Sequence, residues 1–154
     1  MITTTSTLFD VLAGVPVLAG LNMTALTLLA GEGKVLDFNA GDLIVREGAA
    51  GHSFFIIAQG EVEVIKHLDS PRPTLLAKLH RGTFFGEMCV VDPVPRAATV
   101  RALTPVTAIE ITAGTLHHLF QKMPNQYAIV ILNLARDMAR RLRTLDEAFA
   151  ARAS

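Results

Sequence analysis

Thr83-Phe-Phe-Gly-Glu-Met-Cys-Val-Val-Asp-Pro-Val-Pro-Arg-Ala-Ala-Thr-Val100 is the stretch on which the reading of this chain turns. A glycine, a lone acid, a short apolar run and a lone arginine follow one another in close order. Gly86 lets backbone approach another group, because it carries no Cβ. Met88 to Val91 has the length of one helical turn, whose free N–H groups attract an anion. Arg96 adds a permanent planar cation with several donors. Glu87 is an acceptor for hydroxyl protons. Anion donors beside a hydroxyl acceptor point to a phosphorylated sugar. A surface ion pair between Glu87 and Arg96, next to a chance Gly-Glu, is compatible with the same letters.

On either side of this stretch the pattern has period two, which predicts strands. Val35 to Phe38 alternates, and Asn39-Ala-Gly-Asp42 makes a turn. Leu43 to Arg46 is a strand, followed by a turn at Glu47-Gly-Ala-Ala-Gly51. Ser53 to Gln59 is apolar enough for a buried strand, Gly60 breaks it, and Glu61 to Ile65 alternates strictly. Ser70-Pro-Arg-Pro73 reads as a loop, with Leu75 to Leu79 as the next strand. Ala98 to Ala102 and Val106 to Ile111 are the last two. Short strands separated by glycine turns predict an antiparallel barrel or sandwich, and strands followed by helices make the class α+β.

Helices flank the strands. Met1 to Thr7 is small and polar and is expected to be loose, and Leu8, Phe9, Leu12 and Val15 have the spacing of a short helix ending at Pro16. Asn22 is an N-cap for a helix to about Ala30. Thr112 caps another to about Met123, and Pro124 opens a longer one to about Phe149. Tyr127, Ile131, Leu134, Met138, Leu142, Leu145 and Phe149 form a stripe on it, for its own domain or for a second copy as a short coiled coil.

Composition limits the function. Length 154 suits a single domain with a real core. Charged residues are 18% and mean hydropathy is +0.41, so a partner or second copy is expected to cover some surface. Fourteen basic residues balance fourteen acidic ones, which leaves no global field for nucleic acid. Arg136, Arg140, Arg141 and Arg143 make a local basic patch on the last helix, read as a solvated face because Asp137, Asp146 and Glu147 are interleaved. Cys89 is the only cysteine and reads as a small buried hydrophobe, so neither an intrachain disulfide nor a Cys-based zinc site is expected. His52, His67, His80, His117 and His118 show no metal-ligand spacing. No nucleophile elbow, P-loop or carboxylate dyad is evident, so the chain is not expected to be an enzyme. No secretory signal or membrane span is expected, and the default location is cytoplasmic.

Phe85-Gly86-Glu87, followed by Pro95-Arg-Ala-Ala-Thr-Val100, resembles the phosphate-binding cassette of cyclic nucleotide-binding domains, above all that of the regulatory subunits of cyclic-AMP-dependent protein kinase. Gly41, Gly60, Gly82 and Gly86 fall where the family has glycines. The resemblance covers roughly Leu18 to Met123 and implies an eight-stranded antiparallel β-roll of the jelly-roll type, with flanking helices and a short cassette helix. It divides the chain into an N-terminal segment (1–17), the β-roll with flanking helices (18–123) and a C-terminal lid or dimerisation helix (124–154). Leu134-Ala-Arg-Asp-Met-Ala-Arg-Arg-Leu142 is similar to the dimerisation helix of the bacterial catabolite activator. No winged helix-turn-helix follows it in the sequence, so no DNA-binding domain is expected.

The resemblance also implies residue roles. Glu87 would accept the ribose 2′-hydroxyl, and Arg96 would pair with the cyclic phosphate. Backbone N–H groups of Gly86, Met88 and Cys89, with Ala97 and Ala98 opposite, would complete the cradle behind Phe85. Members selective for cGMP usually carry Thr after the arginine. Ala97 stands there, which favours cAMP while leaving cGMP possible. The adenine-contacting Thr-Ser pair of the bacterial activator falls on Leu145 and Asp146, so Leu145 or Phe149 is expected to cover the base instead. The expected function is a bacterial, stand-alone cAMP receptor that signals through its last helices to a homodimer partner or an effector. The alternative is a β-roll adaptor that has lost nucleotide binding.

Overall fold

The computed structural model describes residues 5–153. Its eight strands are β1 (Lys34–Phe38), β2 (Leu43–Val45), β3 (Ser53–Gln59), β4 (Glu61–Lys66), β5 (Thr74–His80), β6 (Phe84–Phe85), β7 (Thr99–Ala102) and β8 (Val106–Thr112). All pairings are antiparallel, in two four-stranded sheets of order β1-β8-β3-β6 and β2-β7-β4-β5. The helices are α1 (Thr5–Ala13), α2 (Met23–Glu32), α3 (Met88–Val91), α4 (Ala113–Lys122) and α5 (Pro124–Ala153), with a 3₁₀ turn at Pro16–Leu18.

β3 explains the double core. Phe55 and Ile57 face inward between the sheets, where Val62, Phe85, Val100, Ala102, Val106 and Ala108 meet them. Phe54, Ile56 and Ala58 face the other way, into a second core with Leu12, Leu18, Leu29, Leu119, Val130 and Leu134 from the helices. A strand covered on both faces has no polar side to show, hence its unbroken apolar run. β4 has one wetter face and so alternates.

The caps follow the sequence. Asn22 Oδ1 accepts from Ala25 N–H at 2.8 Å, and Thr112 Oγ1 accepts from Thr115 N–H at 3.1 Å. Helix α1 begins at Thr5, so Thr5 to Thr7 are helical rather than loose. Met1 to Thr4 lie outside the described residues. The sequence pattern does not mark β6 as a strand. Two residues are too few to show a period, yet Phe84 enters the helical core and Phe85 the barrel core.

Gly60, between β3 and β4, has φ +92°, and a Cβ there would strike the Pro105 carbonyl oxygen. Gly60→Ala is expected to lower stability by about 2 kcal/mol, read as a lower melting temperature.

Candidate functional site

β6 delivers the chain to Gly86, whose φ of +84° turns it sharply into Glu87 and α3. Helix α3 spans the four residues expected of the cassette turn, and Cys89 is buried, with Sγ 3.4 Å from the Val94 carbonyl oxygen. Met88 and Val91 are exposed beside it. Cys89 N–H lies 3.4 Å from the Gly86 carbonyl oxygen.

Arg96 returns to the same place from the far end of the loop. Its main chain is pinned to the β2–β3 connection: its N–H donates to Ala49 O at 2.9 Å, and its carbonyl accepts from Gly48 N–H at 2.8 Å. The residue is only 7% exposed. Nη1 donates to the carbonyls of Ser53 at 2.8 Å and Gly86 at 3.1 Å, and Nη2 reaches the Ser53 hydroxyl at 3.4 Å. The guanidinium carbon lies 5.7 Å from the centre of the Phe55 ring. Gly51 and Gly86 admit it: a Cβ on Gly51 would collide with Arg96 Nε, and one on Gly86 would come within 2.6 Å of Nη1. A cavity of about 600 Å³ opens beside it, with Val45, Ser53, Phe55, Glu110 and Thr112 in its lining.

Glu87 is as buried as Arg96, at 3% exposure, but they do not pair with each other. The surface ion-pair reading is therefore excluded. Glu87 Oε1 accepts from Nη1 of Arg141, on α5. Arg141 Nε also stands 2.8 Å from Asp137 Oδ2, one turn back, in a contact that is ionic rather than an aligned hydrogen bond. The Arg141 guanidinium lies 5.4 Å from the centre of the Phe84 ring. Arg141 thus departs from the expected solvated basic face. Nothing local in the sequence ties Arg141 to Glu87, which lies 54 positions away. Leu145 and Phe149 are 66% and 77% exposed, on the part of α5 beyond Arg141. Ala97 is exposed, and its carbonyl accepts from Lys66 Nζ at 2.6 Å.

Burial pushes the Glu87 carboxyl above its usual range, and the Arg141 cation opposes that shift. Arg141→Ala removes the opposition. The folded-state pKa then rises further above the unfolded one, which gives a penalty absent below about pH 4 that grows as pH rises through the folded value. The variant is expected to melt with wild type near pH 4 and to be less stable at pH 7 by about 1 kcal/mol, a small figure because the guanidinium is half-exposed.

The two-sheet roll thus places a buried arginine and a buried carboxylate on the two sides of one glycine turn. The sequence profile of the cyclic nucleotide-binding domain matches residues 35–123. The chain belongs to the cyclic nucleotide-binding domain family. It is 40% identical over 96 residues to a cGMP-dependent protein kinase, isozyme 1, of Drosophila melanogaster, covering 61% of this chain and 12% of the kinase. It is 28% identical over 134 residues to a CRP-like cAMP-activated global transcriptional regulator of Mycobacterium tuberculosis, covering 87% of this chain and 58% of the regulator. The Thermus thermophilus catabolite activator protein superposes with a TM-score of 0.76 at 27% identity, over 88% of this chain and 62% of that one. The chain therefore spans only part of each of these relatives. Among the described residues no helix is long and apolar enough to cross a membrane, and no three His, Cys, Asp or Glu side chains are grouped to hold a metal ion.

Proposed function

We propose that this chain is a cyclic nucleotide receptor that prefers cAMP and reports occupancy through α5, with no chemistry of its own. The observation that carries the reading is the buried, oriented and carboxylate-free guanidinium of Arg96, beside the buried acceptor Glu87. Arg96 supplies the fork for the cyclic phosphate. Glu87 accepts the ribose 2′-hydroxyl, and N–H groups of Gly86, Met88, Cys89, Ala97 and Ala98 surround the ring. Preference for cAMP rests on Ala97, which has no hydroxyl for the guanine amino group.

The signal passes through Arg141, because the same carboxylate serves α5 and ribose. A nucleotide shifts a conformation only through such differential contacts. Ala135, Met138, Leu142, Leu145 and Phe149 follow steps of three and four along α5, and the last three are well exposed. They form the seam for a second copy or an effector, or close over the base.

The test is calorimetric titration with cAMP, cGMP and cyclic dinucleotides side by side, with sedimentation before and after. Binding of cAMP more tightly than cGMP is the expected result, and no heat with either mononucleotide overturns the reading.

A further inference from the structure

Arg96 is a buried cation whose direct partners are all neutral. They are two carbonyl oxygens and one hydroxyl, and among the described residues no carboxylate stands within ion-pair distance of it. A buried charge calls for a countercharge. The structure holds one a single hydroxyl away: Ser53 Oγ donates to Glu110 Oε2 at 2.9 Å. Ser53 is on β3 and Glu110 on β8. Glu110 stands opposite Phe55 in the register and lines the same cavity as Arg96, Ser53 and Phe55.

We propose that Glu110, acting through the Ser53 hydroxyl, is the positioning residue of Arg96. The proposal rests on the reading of Arg96 as the phosphate contact. The chain of donors has one direction, guanidinium to hydroxyl to carboxylate. The carboxylate accepts the hydroxyl's hydrogen bond, which turns an oxygen lone pair toward Nη2. Spacing is what makes this useful. A carboxylate touching the guanidinium would form a forked pair that phosphate must break. One hydroxyl between them orients the cation and leaves it un-neutralised for an arriving anion.

Ser53→Ala and Glu110→Gln, singly and together in the full chain, test this with two readouts. In calorimetry each single change is expected to weaken cAMP binding about fivefold, the scale of one ordinary net hydrogen bond. The double change is expected to be no worse than either single one, because both cut the same chain. Neither is expected to matter once Arg96 is alanine. Ser53→Thr keeps the hydroxyl and is expected to keep affinity. The second readout is the nitrogen-15 NMR signal of the Arg96 guanidinium without nucleotide, expected to show slowed Nη rotation in wild type and faster rotation in Ser53→Ala and Glu110→Gln. Additive losses, or Arg96 signals unchanged by Glu110→Gln, overturn the proposal. If wild type binds neither cAMP nor cGMP, the phosphate reading fails by itself, and the NMR comparison still decides whether Glu110 positions Arg96.

Discussion

Arg96→Ala is expected to weaken cAMP binding by about 2 kcal/mol or more, roughly thirtyfold, the scale of a lost charged hydrogen bond that leaves the phosphate unpaired. The side chain is held before any ligand arrives, between Gly51 and Gly86 and against Phe55, so little ordering has to accompany binding. Among the described residues Arg96 is the one buried cation beside the glycine turn, so its loss would leave the proposed phosphate contact without a replacement. Calorimetry reads the effect directly, and equal affinity in wild type and variant would sink the assignment of phosphate to this arginine. Stability should move less, because the guanidinium contacts are to carbonyls and a hydroxyl rather than to a carboxylate left behind.

Leu134→Ala is expected to cost about 3 kcal/mol of folding stability, in the range for truncating a buried leucine. Leu134 is 1% exposed and sits on α5 within the core that includes Leu12, Leu18 and Leu119. Only Val130 and Leu134 are fully buried along the thirty residues of α5, so the helix has few such anchors and the loss should be felt along it. Denaturant unfolding measures the cost. A loss below about 1 kcal/mol would mean that α5 is held chiefly by its polar contacts, such as Asn133 Nδ2 donating to the carbonyls of Val17 and Ala19.

The parts of the fold that were legible are those set by local rules. Gly41, Gly60, Gly82 and Gly86 all adopt positive φ, a conformation only glycine enters without strain. Asn22 and Thr112 cap their helices because a short side-chain oxygen can reach a free N–H two or three residues on. The cassette helix falls on Met88 to Val91 for a similar reason: the glycine turn ends one element and the apolar turn begins the next. What stayed hidden depends on distance along the chain. Arg141 meets Glu87 across 54 positions, and Ser53 meets Glu110 across 57. Periodicity tells which side of a helix or strand a residue is on, not which other element that side faces. The stripe on α5 illustrates this, since its steps of three and four run unbroken while Tyr127, Ile131 and Leu134 pack against the helical core and Leu142, Leu145 and Phe149 are exposed.

Arg141 lies where α5 leaves the body of the protein. Every residue from Ala139 to Ala153 is exposed, and the helix runs on for 12 residues past Arg141. At 1.5 Å per residue that is an arm of about 18 Å, so a tilt of about 10° at the Glu87 bridge carries its tip about 3 Å. On the proposed reading the bridge serves as a fulcrum, and a change of one hydrogen bond at Glu87 becomes, at Phe149 eight residues past Arg141, a displacement of about 2 Å.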